Sequence, residues 1–384
     1  MAHTLTGVGL TPAQTWNWLK TNDTTLVVPE PPAADPMAEV PASARRITCG
    51  AGAEATQWLD ASATDRRTIV VPADTTGERI SVKVDTSPGS VAQTSVFVRP
   101  GAEAFVDVVA ADGLGAAPKA RDERAHAEDN EAAAREGNEA AAREDDAPVT
   151  SGHVLRIHAE QGSHVHVTLL VAATAGEQYL DSLGIVADDR AEVAVRQYVI
   201  GAATTALGST IDLAGDRSRL DLSLRYLAGA GEKLDLAYTV PVRGVKARAN
   251  LDMTGVLSDD AKKALRATID LVNGCKGAKA SEQETVLVCG DDVVNKTLPT
   301  ILCDEDDVEG SHGAAIGTVS PEQLAYLSDR GLTEDEAEGL FRRAIVDDAA
   351  ITLPGDAPAA VISWAERALG SQTAAEIRDM IEEA

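Results

Sequence analysis

From about Arg66 the chain keeps returning to one short unit: a small or polar turn, then a strand in which apolar and polar residues alternate. The unit appears over Gly101–Val109 (GAEAFVDVV), Gly162–Leu170 (GSHVHVTLL), Asp189–Val195 (DRAEVAV), Arg217–Leu224 (RSRLDLSL) and Gly231–Tyr238 (GEKLDLAY). Thr68-Ile69-Val70-Val71 and Ile80-Ser81-Val82-Lys83-Val84 carry the same period of two, the signature of a strand with one face buried. Many short strands separated by turns make a sandwich, a barrel or a β-helix, and composition does not separate the three. Only 3% of the residues are aromatic, so the core must be built from Val, Leu, Ile and Ala.

Other segments break this pattern. Residues 117–148 contain a near duplication, Asn130-Glu131-Ala132-Ala133-Ala134-Arg135-Glu136 and Asn138-Glu139-Ala140-Ala141-Ala142-Arg143-Glu144. With almost no large apolar side chain this stretch has nothing to bury, and it reads as a disordered, acidic, Ala-rich insertion. Residues 1–65 read as a mixed N-terminal region. It has a short helical run around Trp16, Trp18 and Leu19, then an irregular, proline-marked connection through Pro29, Pro31, Pro32 and Pro36. The last 65 residues are helical, with capping boxes at Ser320-Pro321-Glu322-Gln323 and Thr333-Glu334-Asp335-Glu336. Ala337, Leu340, Phe341, Ala344 and Ile345 have the spacing of one buried helix face, and Val361, Trp364, Ala365, Ala368 and Leu369 repeat it. The expected organisation is 1–65, a strand core over 66–310, and a helical domain over 311–384.

The net charge of −27 disfavours nucleic acid and anionic membranes as partners. No stretch approaches the length of a membrane span, and no basic segment followed by an apolar one marks a signal peptide. The four cysteines, Cys49, Cys275, Cys289 and Cys303, form no C-x-x-C pair and read as reduced thiols of a cytoplasmic protein. The last three are evenly spaced, which predicts a ladder if one coil of a β-helix has that length; packing is the favoured explanation for such a column. Phosphate-loop, G-x-S-x-G, H-E-x-x-H and G-x-G-x-x-G patterns are all lacking, so ATP hydrolysis by this chain is not expected. His164 and His166 share one face of a strand, an arrangement that more often faces solvent than binds metal.

The informative stretch is Pro299 to Gly331. It runs Pro299-Thr300-Ile301-Leu302-Cys303, then Asp306-Asp307-Val308, then Ser311-His312-Gly313-Ala314, and then a helix with Tyr326-Leu327 and Arg330-Gly331. This resembles the signature of the SufB/SufD family of iron–sulfur cluster assembly proteins, and Gly255-Val256-Leu257-Ser258-Asp259-Asp260-Ala261-Lys262 resembles that family's approach to its last strands. The Ser-His-Gly form is similar to the SufD type. The resemblance implies a mainly β fold with a right-handed parallel β-helix core and helical ends. It implies a non-catalytic scaffold that pairs with a SufB-like subunit through the end of the β-helix and docks a SufC-like ATPase on its C-terminal helices. It also places the family's histidine at His312, at the interface where a transient iron–sulfur cluster is built, with no tightly bound cofactor. Cys303 is the second candidate metal-binding residue. Where the family commonly has a cysteine two residues before the histidine, this chain has Gly310. His312 has a plainer alternative, an imidazole that ties down backbone at a strand-to-helix junction. Asp306 and Asp307 read as the end of a strand more readily than as ligands. A homodimer of the isolated chain would mimic the SufB–SufD pair. The rival is a stand-alone β-helical enzyme or carbohydrate-binding protein, which the scarcity of aromatic sugar platforms disfavours.

Overall fold

The computed structural model describes residues 2–13, 20–32, 40–87, 89–112, 150–173, 178–201 and 204–383. The helical run around Trp16 and the 117–148 insertion lie outside them. Sixteen strands wind between two parallel sheets of eight. One holds the odd-numbered strands from β3 (Asp65–Val71) to β17 (Val294–Cys303), the other the even-numbered strands from β4 (Glu78–Asp85) to β18 (Val308–Gly317). Successive strands alternate between sheets, and each pairs with the strand one coil away. The core is therefore the parallel β-helix expected from the family resemblance, and sandwich and barrel are excluded.

The register fixes the coil length. Glu192 in β10 (Glu192–Gly201) pairs with Arg219 in β12 (Arg219–Ala228). Arg219 pairs with Arg248 in β14 (Arg248–Ser258), and Arg248 with Lys279 in β16 (Ala278–Cys289). A coil is thus about twice the length of the cysteine spacing. Leu271 pairs with Cys303 in the odd sheet and Ser258 with Cys289 in the even sheet, while Cys275 sits in the turn after β15 (Lys262–Leu271). The expected ladder does not exist, because a step of half a coil carries the chain to the opposite sheet.

Four successive coils turn one corner through a left-handed residue. Arg190, Arg217 and Lys246 have φ of 56°, 58° and 60°, and Gly277 follows at 70°. Their amides donate to the next coil's corner carbonyls, Arg190 N to Asp216 O at 2.8 Å and Arg217 N to Val245 O at 2.9 Å. The next residue, Ala191, Ser218, Ala247 or Ala278, is small and buried. This corner produces the turn-then-strand unit of the sequence. Between the sheets the alternate residues stack as continuous aliphatic columns, each fully buried Val, Leu or Ile contributing roughly 1.5–3 kcal/mol.

Two attachments cover the outer faces. The antiparallel strands β1 (Ala2–Val8) and β2 (Thr24–Pro29) and helix α1 (Ala53–Ser62) bury Leu5, Val28, Trp58 and Leu59 against the odd sheet at Val154, Leu180 and Ala206. Four C-terminal helices follow, α2 (Pro321–Ser328), α3 (Glu334–Thr352), α4 (Ala357–Ala368) and α5 (Ser371–Glu383); α2 and α3 begin where the caps predict, and both capping boxes are formed. Ile345, Val346, Ala349, Val361, Trp364 and Ile377 pack on the outer face of the even sheet at Leu170, Tyr198, Ile200 and Leu227. The buried face of α3 is shifted from the expected one. Ala337 and Ile345 are buried, but Leu340 and Phe341 are 50% and 37% exposed. The helix carries two apolar stripes, and the sheet covers only one.

Candidate functional site

β17 and β18 are the last strands of their sheets, and each leaves one edge unpaired. The strand over 308–317 runs past residue 310, so Ser311-His312-Gly313 lies in the middle of β18 and not in a strand-to-helix turn. Asp306 and Asp307 sit in the turn between β17 and β18, where their amides donate to Glu305 Oε1 at 3.2 and 3.4 Å.

His312 faces the inside of the coil at its open mouth. A Cβ built on Gly310 would meet Leu271 Cδ1 at 3.1 Å and Ile301 Cγ2 at 3.4 Å, both interior side chains, whereas one on Gly313 would meet the outward Gln283. Alternation then directs His312 inward with Gly310. His312 stands in register on Glu282, at the end of the column Val167, Val195, Leu222, Leu251, Glu282, His312. Four aliphatic rungs give way to a carboxyl and an imidazole within two coils of the mouth. The adjoining columns change in the same place, Leu234 to Lys263 to Asn295 and Met253 to Glu284.

These polar residues form a buried network. Lys263 and Glu284, both essentially unexposed, make an ion pair. Lys263 Nζ also donates to Asn295 Oδ1 and Thr297 Oγ1, each at 3.0 Å. Glu284 further accepts from Tyr226 OH at 2.8 Å and Thr297 Oγ1 at 2.6 Å. Burial lowers the Lys263 pKa, against the pull of Glu284. Glu282 is different. It is 3% exposed, and neither carboxylate oxygen has a hydrogen-bond partner. Burial first, then the Glu284 charge, push it up to about 7, with Lys263 opposing.

The other sequence candidates are dispersed. Cys303, at the exposed end of β17, donates its thiol to Glu305 O at 3.3 Å. Among the described residues no three His, Cys, Asp or Glu side chains converge as a metal group. His164 and His166 lie on the outer face of β8 (His164–Ala172), as the solvent-facing reading expects. They lie 3.4 Å from Glu192 and 3.8 Å from Glu103, with Phe105 stacked on His166. Sequence reasoning missed Glu282, Glu284 and Lys263. The available signal was the charged residues at the inward positions of Lys262–Leu271 and Ala278–Cys289, where the preceding coil carries Leu or Met.

A family model described as the SUF system FeS cluster assembly, SufBD core domain, matches residues 124–345, more than half of the chain and all of this mouth. The chain belongs to the SufBD family. Over 133 residues it is 32% identical to the iron–sulfur cluster assembly protein SufD of Bacillus subtilis, covering 34% of this chain and 30% of that protein. A SufBD family protein of Pyrococcus horikoshii is 29% identical over 138 residues, 35% of this chain and 40% of the relative. One from Mycobacterium leprae is 26% identical over 155 residues and 18% of its own length. The matches thus span less than half of each of these relatives. No helix among the described residues is long and apolar enough to cross a membrane.

Proposed function

We propose that this SufBD protein is a SufD-like, non-catalytic scaffold subunit of a cytoplasmic iron–sulfur assembly complex. A SufB-like sister subunit docks on its open β-helix mouth, and a SufC-like ATPase binds its C-terminal helices. The observation that carries this reading is the mouth itself: two parallel strands with unpaired edges beside an inward-facing histidine. Unpaired edges are templates for another chain, and burying them in a partner satisfies their backbone groups. A transient cluster assembles there against His312. On the other face, Leu332, Leu340 and Leu369 line a groove of about 810 Å³, which offers the ATPase an apolar seat beside Glu336 and Arg342. In isolation the same mouth supports a homodimer.

Anaerobic co-expression of the tagged chain with SufB-like and SufC-like subunits tests this. Both should co-purify with it. Ile316, 55% exposed on β18, supplies the selective variant: Ile316→Lys should lose the sister subunit and keep the ATPase. Failure to capture either partner, with iron and sulfide absent from the product, would overturn the reading.

A further inference from the structure

A cleft of about 500 Å³ lies where β2 meets the outer face of the odd sheet, along β9 (Gln178–Ala187), β11 (Thr204–Leu213), β13 (Lys233–Val242), β15 and β17. Lys233, Lys262 and Lys296 line it, and all three are exposed. Among the described residues none of the three ammonium groups has an ion-pair or hydrogen-bond partner. Acidic residues outnumber basic ones by 61 to 34, so carboxylates are plentiful, and a cleft that gathers three unpaired lysines needs a cause. Lys233 and Lys262 are paired in register on adjacent rungs, about 4.8 Å apart, where like charges repel. Asp235, the one acid in the lining, does not relieve them, because Arg266 of β15 and the Thr24 hydroxyl already engage it. Val27 and Val294, 39% and 40% exposed, line the same cleft and present apolar surface beside the charges.

We propose that this cleft binds an organic diphosphate, with its phosphates among Lys233, Lys262 and Lys296 and its organic part on Val27 and Val294. Lysine ammonium groups on flexible stems bind phosphate as point charges, and an anion placed among them removes their mutual repulsion. A diphosphate carries more charge than a single phosphate ester and so matches three ammonium groups better. A polymeric anion such as nucleic acid would lie across the surrounding acidic surface, which repels it, whereas a small anion fits within the cleft. The volume lies within the range of small-molecule pockets.

The test titrates the full chain with pyrophosphate, ADP and adenosine by calorimetry, at low salt and without divalent metal. Wild type should bind pyrophosphate and, more tightly, ADP, and should not bind adenosine. Lys262→Gln and Lys296→Gln should each weaken ADP binding about tenfold or more. Lys279→Gln removes the same charge from the even sheet, outside the cleft, and should bind ADP as wild type does. Lys233→Gln relieves the paired repulsion and should melt no lower than wild type, while ADP raises the melting temperature of wild type and not of this variant. Wild type that binds neither ADP nor pyrophosphate would overturn the proposal. So would adenosine binding as tightly as ADP, pyrophosphate binding more tightly than ADP, or equal weakening by Lys279→Gln and Lys262→Gln.

Discussion

The ring of Tyr226 fills the space that a side chain at residue 255 would need: a Cβ built on Gly255 falls 2.0 Å from Tyr226 Cε2 and Cζ. Tyr226 and Gly255 are paired on neighbouring coils. The missing side chain lets the ring lean across one rung so that its hydroxyl reaches Glu284 on the next. Gly255→Ala should therefore displace the ring, break that hydrogen bond and cost about 1–3 kcal/mol, read as a lowered denaturant midpoint. A midpoint equal to wild type would show that the ring can be placed elsewhere.

Lys263 and Glu284 form a buried pair whose members are expensive to separate. Lys263→Met should destabilise by about 3–5 kcal/mol, because it leaves a buried carboxylate without its cation. Adding Glu284→Gln should restore much of that loss. Chemical denaturation of both variants measures the coupling, and simple additivity would mean that the two residues act independently.

Stability should depend on pH through Glu282. Its folded pKa is raised to about 7 from 4.5, so between those values the folded chain holds a proton that the unfolded chain has released. The stabilisation is complete below about pH 4.5 and is lost as pH rises through about 7. Glu282→Gln should match wild type near the lower limit and exceed it by roughly 3 kcal/mol at about pH 8. A difference between the two proteins that does not vary with pH would contradict this.

Phe341 and Leu340 are the exposed stripe of α3. Leu340, which lines the proposed ATPase groove, is the one to change: Leu340→Asp should abolish capture of a SufC-like ATPase and leave the melting temperature within about 2 °C of wild type. A surface substitution is the sharper probe, since deleting residues 333–384 would uncover Leu170, Ile200 and Leu227, which the helices now bury.

Gly310 occupies the position where the family commonly carries cysteine, and it shares the inward face of β18 with His312. The nearest atoms to a new Cβ there are side-chain ends, Leu271 Cδ1 and Ile301 Cγ2, which can shift by a few tenths of an ångström. Gly310→Cys should fold and should retain more Fe²⁺ after anaerobic desalting than wild type, as a thiolate joins the imidazole. Equal iron content would show that position 310 does not contribute to the mouth's ligand set.

The sequence by itself determined the elements and their family. The period of two along strands such as Leu220-Asp221-Leu222, the capping boxes at Ser320 and Thr333, and the Ser-His-Gly motif are local signals, set by side-chain alternation and backbone hydrogen bonding within a few residues. The tertiary structure decided what depends on coil length. A sequence step of half a coil looks like a repeat along the chain, yet it sends Cys289 and Cys303 to opposite sheets. A step of about one coil, invisible as a motif, stacks Leu251, Glu282 and His312. Whether Leu340 or Val346 is buried likewise follows from where α3 lies on the sheet, because each stripe satisfies the helical period equally well. The local pattern is written in neighbours along the chain. The mouth is written in residues that only the winding of the coil brings together.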